Sequence, residues 1–179
     1  MLFRSNSCKN VFDESLIPTA RLRNFYTHWR GLCDQAPIPP RSAFDIVEVP
    51  PPLIPHLILL DVLEGGRDFR YRVVGTGVRD NVGRDFTGET VEAYHHSHES
   101  LSVHDGYIAV VEHGIPDLYR ATLLDIDKAF ISYDRLAAPL AAPDGRIIQI
   151  LACFELNITP PGEARLGDLA VSQRVPPRS

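Results

Sequence analysis

Leu22, Phe25, Tyr26, Trp29 and Leu32 recur at intervals of three and four, the spacing of one apolar stripe on an amphipathic helix. Pro18 suits its first turn and Gly31 lies near its end. Residues 1–17, before this helix, are polar and mixed and read as a flexible N-terminus. After the helix, seven prolines fall between Ala36 and Pro55. Proline fixes φ and removes a donor, so this stretch reads as an extended connector with short turns, one of them at Ser42–Asp45.

The pattern then turns strand-like. His56 to Leu63 is a compact apolar run, and Gly65-Gly66 after it is a hairpin signal. Phe69, Tyr71 and Val73 alternate with Arg70 and Arg72, which predicts one buried and one wet face. From Gly75 to Tyr94 glycines punctuate short helical pieces, one starting at Glu89 behind Thr87 or Gly88 as cap. A longer helix is predicted over His98 to His113, with Leu101, Ile108, Val111 and Tyr107 inward and Gly114 as its stop. Three strands follow: Asp117 to Leu124, Ala129 to Leu140, and Arg146 to Leu156. Ala142-Pro143-Asp144-Gly145 is the turn between the last two. In the last strand Ile148, Ile150, Ala152, Phe154 and Leu156 share one face, and Gln149 and Glu155 mark the other. Residues 158–179 lack periodicity and read as a disordered tail. The order is helix, two strands, short helices, three strands. Hairpins at both ends call for an antiparallel five-stranded sheet with the helical middle on one face.

Composition narrows the class. Of 179 residues, 44% are apolar and 23% charged, as in an ordinary globular domain. No apolar run reaches the length of a membrane span. A net charge of −5 argues against general nucleic-acid binding, which needs a surplus of Lys and Arg. Cys8, Cys33 and Cys153 are too few and too far apart for a disulfide scaffold or a zinc ribbon. With no signal-peptide core at the N-terminus, the expected location is cytoplasmic.

This order resembles a PAS domain. Three segments carry the resemblance: Phe69-Arg70-Tyr71-Arg72-Val73-Val74-Gly75-Thr76, Val82-Gly83-Arg84-Asp85-Phe86-Thr87-Gly88, and Leu136-Ala137-Ala138-Pro139-Leu140 before the Asp144-Gly145 turn. More narrowly, the chain resembles a family of stand-alone bacterial PAS-domain proteins. The supporting segments are Phe25-Tyr26-Thr27-His28-Trp29, Pro40-Arg41-Ser42-Ala43-Phe44-Asp45, and Leu53 to Val62. The resemblance implies an α+β fold with a sheet in 2-1-5-4-3 order, helices on one face and an N-terminal amphipathic helix, all within 18–157. It implies a sensory or protein-interaction module in signalling, and it supplies no catalytic residue and no cofactor. Fold alone does not settle function. Any signal would pass to a partner protein or through a homodimer, for which the Trp29 helix and a helix-free sheet face are the expected surfaces.

A small-molecule pocket is expected between the inner sheet face and the short helices. Its candidate lining is Tyr71, Val73, Tyr94, Tyr107, Tyr133, Arg135, Ile148 and Ile150. Two alternatives rest on other residues. His95, His96, His98 and Glu99, with His104, could ligate a metal, and a single histidine could hold haem. The bland reading of the cluster is a solvated helix face. The other alternative is a cone-shaped α+β enzyme such as an isomerase, with Asp125 or Asp134 as base.

Overall fold

The computed structural model describes residues 12–96, 101–123, 131–158 and 173–174. The first helix, α1 (Ala20–Gly31), starts where Thr19 Oγ1 accepts a hydrogen bond from the Leu22 amide. That satisfies one of the donors a helix leaves open at its start. Its stripe, Leu22, Phe25 and Trp29, is fully buried. The proline-rich connector forms short 3-10 turns at Arg41–Ala43, Ile46–Glu48 and Pro51–His56. Strands β1 (Leu57–Leu63) and β2 (Asp68–Val74) form the first hairpin. Its turn runs through three consecutive positive φ angles at Glu64, Gly65 and Gly66, which explains the two glycines.

Then come α2 (Thr76–Val82), α3 (Val91–His96) and α4 (Leu101–His113). The α3 cap differs from expectation: Thr90 Oγ1, not Thr87 or Gly88, accepts from the Ala93 amide. Strands β3 (Asp117–Leu123), β4 (Ile131–Ala141) and β5 (Ile147–Ile158) complete the core of the sheet. Gly145, at φ 86°, closes the β4–β5 turn, and its amide donates to the Ala142 carbonyl.

The antiparallel sheet has the order β2-β1-β5-β4-β3, with the short strand β6 (Gln173–Arg174) added on the β3 edge. β6 falls inside the stretch read as a tail. At the other end, Ile17 is buried and Phe12 packs on Tyr26.

Central strands bury both faces. Ile58, Leu60, Tyr133, Ala137, Ile150 and Ala152 enter the inner cluster beneath α2, α3 and α4. Leu57, Leu59, Leu136, Ala138, Leu140, Leu151 and Cys153 enter a second cluster with Leu22, Phe25 and Trp29 of α1. Trp29 Nε1–H donates to the Pro139 carbonyl at 2.9 Å, tying α1 to β4. The helices of the chain's middle therefore lie on one face, and the N-terminal helix covers the other. This corrects the expectation of a helix-free sheet face: α1 has spent its apolar stripe on its own sheet. The unbroken run Leu57-Ile58-Leu59-Leu60 was the available signal, since a strand wet on one face alternates.

A second correction concerns Val73. Leu59 pairs with Val73 but Leu60 with Tyr71, so Arg72 is an extra residue in β2. Such a bulge shifts the alternation by one position. Tyr71 and Val74 turn inward, and Val73 is left 44% exposed beside exposed Arg70 and Arg72. Val73 therefore does not line the interior.

Candidate functional site

On the inner face, β4 places one charged side chain among apolar neighbours. Alternation points Tyr133, Arg135 and Ala137 toward α4, while Asp134, Leu136 and Ala138 point the other way. Arg135 is fully buried. It pairs in register with Tyr119 of β3 and Phe154 of β5. Its Nη2 donates to Asp117 Oδ2 at 2.7 Å, and its Nη1 donates to the Val103 carbonyl of α4 at 3.1 Å. The guanidinium carbon lies 4.3 Å from the Tyr107 ring centre and 5.1 Å from that of Tyr119, both within cation–π range.

Gly106 makes this approach achievable. A Cβ there would collide with Arg135 Nη2 and come within 2.7 Å of Asp117 Oδ2. Glycine inside a helix costs about 1 kcal/mol relative to alanine. Here it opens the space for a buried guanidinium. Burial opposes charge on Arg135, while the Asp117 carboxylate supports it by charge and by hydrogen bond, and its pKa stays above the ordinary arginine value. Burial pushes the Tyr107 phenol above its ordinary value, with Arg135 opposing. Tyr107 is therefore a neutral hydroxyl at neutral pH.

Two polar atoms of this cluster are buried with no hydrogen-bond partner among the described residues: Arg135 Nε and Tyr107 Oη. Such orphans are rare in folded proteins. Aromatic rings surround them: Tyr119 and Tyr133 lie 6.0 Å apart, Tyr133 and Phe154 5.8 Å, and Phe69 and Tyr107 5.5 Å.

The expected lining residues separate into groups. Tyr107, Tyr133 and Arg135 come together around the ion pair. Tyr71 and Ile150 belong to the same inner cluster, but Tyr71 packs edge-on against Phe86 at 4.6 Å, toward α2. Ile148 is half-buried and belongs to neither cluster. Val73 faces outward, and the Tyr94 side chain lies outside the described residues. Asp117, Tyr119 and Gly106 were missed. The alternation of Asp117 and Tyr119 on one strand was visible, but their partner is set by a register that only the folded sheet supplies.

The alternative sites fare differently. Asp134 sits on the opposite face from the tyrosines, where Arg120 Nε and Nη2 donate to its two oxygens at 2.6 and 3.1 Å. Asp125 lies outside the described residues, as does His98. The backbones of His95 and His96 lie in α3, but their side chains are not described. His104 is described, and its Nε2–H donates to the Arg67 carbonyl at 2.8 Å. Among the described residues, no group of three or more His, Cys, Asp or Glu is placed to hold a metal ion. Cys153, on the α1 side, is fully buried, and burial pushes its thiol up to about 12, which keeps it protonated and unreactive. Among the described residues no helix is long and apolar enough to cross a membrane.

Comparison with known proteins adds one finding. The profile of the family described as PAS domain matches residues 18–155, which include every element from α1 to most of β5. No curated protein matches the chain.

Proposed function

The chain belongs to the PAS domain family, and from that premise we propose that it is a sensory module that takes a small molecule on the inner face of its sheet. The family implies a sensory or signalling role, and the ligand is this chain's own question. One observation carries the reading: the buried Arg135–Asp117 pair, ringed by Tyr107, Tyr119 and Tyr133, leaves two polar atoms without described partners. A buried ion pair is a poor source of stability, since apolar residues of the same volume often serve as well or better. Its presence, with a helix glycine to admit it, favours a polar recognition role. Α ligand bound between α4 and the strands would touch groups on three elements at once. Binding there would alter how α4 sits on the sheet, which is a route from occupancy to signal.

Native mass spectrometry of freshly purified protein, beside its ultraviolet–visible spectrum, tests this. A mass excess over the bare chain supports the sensor, and a Soret band would identify haem. Bare chains alone, with no gain on exposure to a metabolite extract, would count against it.

A second reading, a module that works only by protein contact, is favoured by exposed apolar residues of the connector. Ile46, Val47 and Ile54 of the connector are 42%, 84% and 38% exposed. A partner protein or a second copy of this chain would more readily use these residues than α1, whose stripe is buried.

A further inference from the structure

We propose that Arg135 Nε–H and Tyr107 Oη–H form a two-donor site for one acceptor oxygen of an uncharged small molecule, such as a ketone or amide carbonyl on an aromatic or aliphatic body. The inference rests on the reading of the inner face as a ligand site and names the chemistry it selects.

Charge decides between an uncharged ligand and an acid. Arg135 already faces Asp117 at 2.7 Å, so the pair is neutral as it stands. A carboxylate ligand would bring a second anion to a single buried cation, and like charges in a low-dielectric site repel strongly. Tyr107 contributes no charge, because burial raises its pKa.

The donor inventory points the same way. Nη2 is engaged by Asp117 and Nη1 by the Val103 carbonyl, while Nε–H is buried and unengaged among the described residues. It lies in the fixed plane of the guanidinium, so it is pre-oriented. The phenol hydroxyl of Tyr107 is buried within hydrogen-bonding reach of the same guanidinium, which opposes the rise in its pKa, and it makes no well-formed hydrogen bond among the described residues. Two buried donors on neighbouring side chains suit one oxygen with two lone pairs. The rings of Tyr119, Tyr133 and Phe154 suit a flat or apolar body.

Calorimetric titration of the full chain with three matched compounds tests this: acetophenone, benzoate and ethylbenzene. Wild type is expected to bind acetophenone more tightly than the other two. Tyr107→Phe keeps the ring and removes only the hydroxyl. It should weaken acetophenone about five- to tenfold, as the loss of one hydrogen bond does, and leave ethylbenzene unchanged. Its melting temperature without ligand should stay the same or rise, because a buried unpaired hydroxyl is gone. Tighter binding of benzoate, or equal acetophenone binding by Tyr107→Phe and wild type, overturns the inference while leaving the ligand site standing. The second result would mean that a buried water suffices for both donors. Binding of none of the three compounds, together with bare chains in native mass spectrometry, overturns the ligand reading itself.

Discussion

Leu136, Ala138 and Leu140 face α1 and its Trp29, while Tyr133, Arg135 and Ala137 of the same strand face the other helices. The α1 side is filled by leucines, small residues, Phe25, Trp29 and two cysteines, and its long-range polar ties are the indole N–H to Pro139 and the contacts of Thr19 and Arg21 with Glu155. The α4 side holds four buried tyrosines, Tyr71, Tyr107, Tyr119 and Tyr133, and a buried ion pair. Both faces exclude water, but they do so by different chemistry. One is mainly an apolar cover, although His28 Nε2 and His56 Nδ1 are buried there without a partner among the described residues. The other carries polar groups that packing does not require. The proposed recognition site draws on that asymmetry: it uses the polar groups of the α4 side and none of the α1 packing.

The comparison can be broken most forcefully at Trp29. Trp29→Ala removes the centre of the α1 packing and leaves the Pro139 carbonyl without its donor. It should cost about 3–5 kcal/mol by urea unfolding. If α1 is only a cover, ligand binding by the protein that remains folded should be unchanged.

On the other face, Asp117→Ala leaves the Arg135 charge buried without its carboxylate and should cost about 3–5 kcal/mol. Replacing both partners, as Arg135→Met with Asp117→Leu, should recover most of that loss. Recovery of stability with loss of binding would sharpen the division. No recovery would make the pair a structural necessity and blur it.

Acid should act on the α1 side, with a smaller effect. Burial lowers the pKa of His28, with Glu48 opposing, and of His56, where Arg21 adds to the effect and Glu155 opposes. A histidine with a depressed folded pKa takes up its proton more readily when unfolded. Its contribution is intact above the ordinary histidine value of about 6.5 and is lost as pH falls from there toward the folded value. The urea midpoint should therefore decline between pH 7.5 and 5, and amide exchange in α1 should speed up relative to α4. Equal acceleration on both faces would contradict the assignment.

Part of this was legible in the residues. The spacing of Leu22, Phe25 and Trp29 marks α1, Gly65-Gly66 marks the first hairpin, and Pro143-Asp144-Gly145 marks the last. These signals are local, because a helix face repeats within a few residues and a tight turn needs particular φ angles. Tyr107, Tyr133 and Arg135 could be named as interior polar candidates from alternation and helix phase. Val73 was misplaced for an equally local reason that leaves no mark: a bulge adds one residue without a distinctive residue type.

Element order, the alternating faces and the polar residues available to the interior are thus properties of short stretches of chain, written in residue spacing. The side of the sheet that α1 takes, the strand β6 adds beside β3, and the meeting of Arg135 with Asp117, Tyr107 and Gly106 belong to the folded molecule. Asp117 and Arg135 are separated by 18 positions, and Val103 and Arg135 by 32. No period connects them. Strand register and helix placement bring them together, and those follow from burying both faces of the sheet at once.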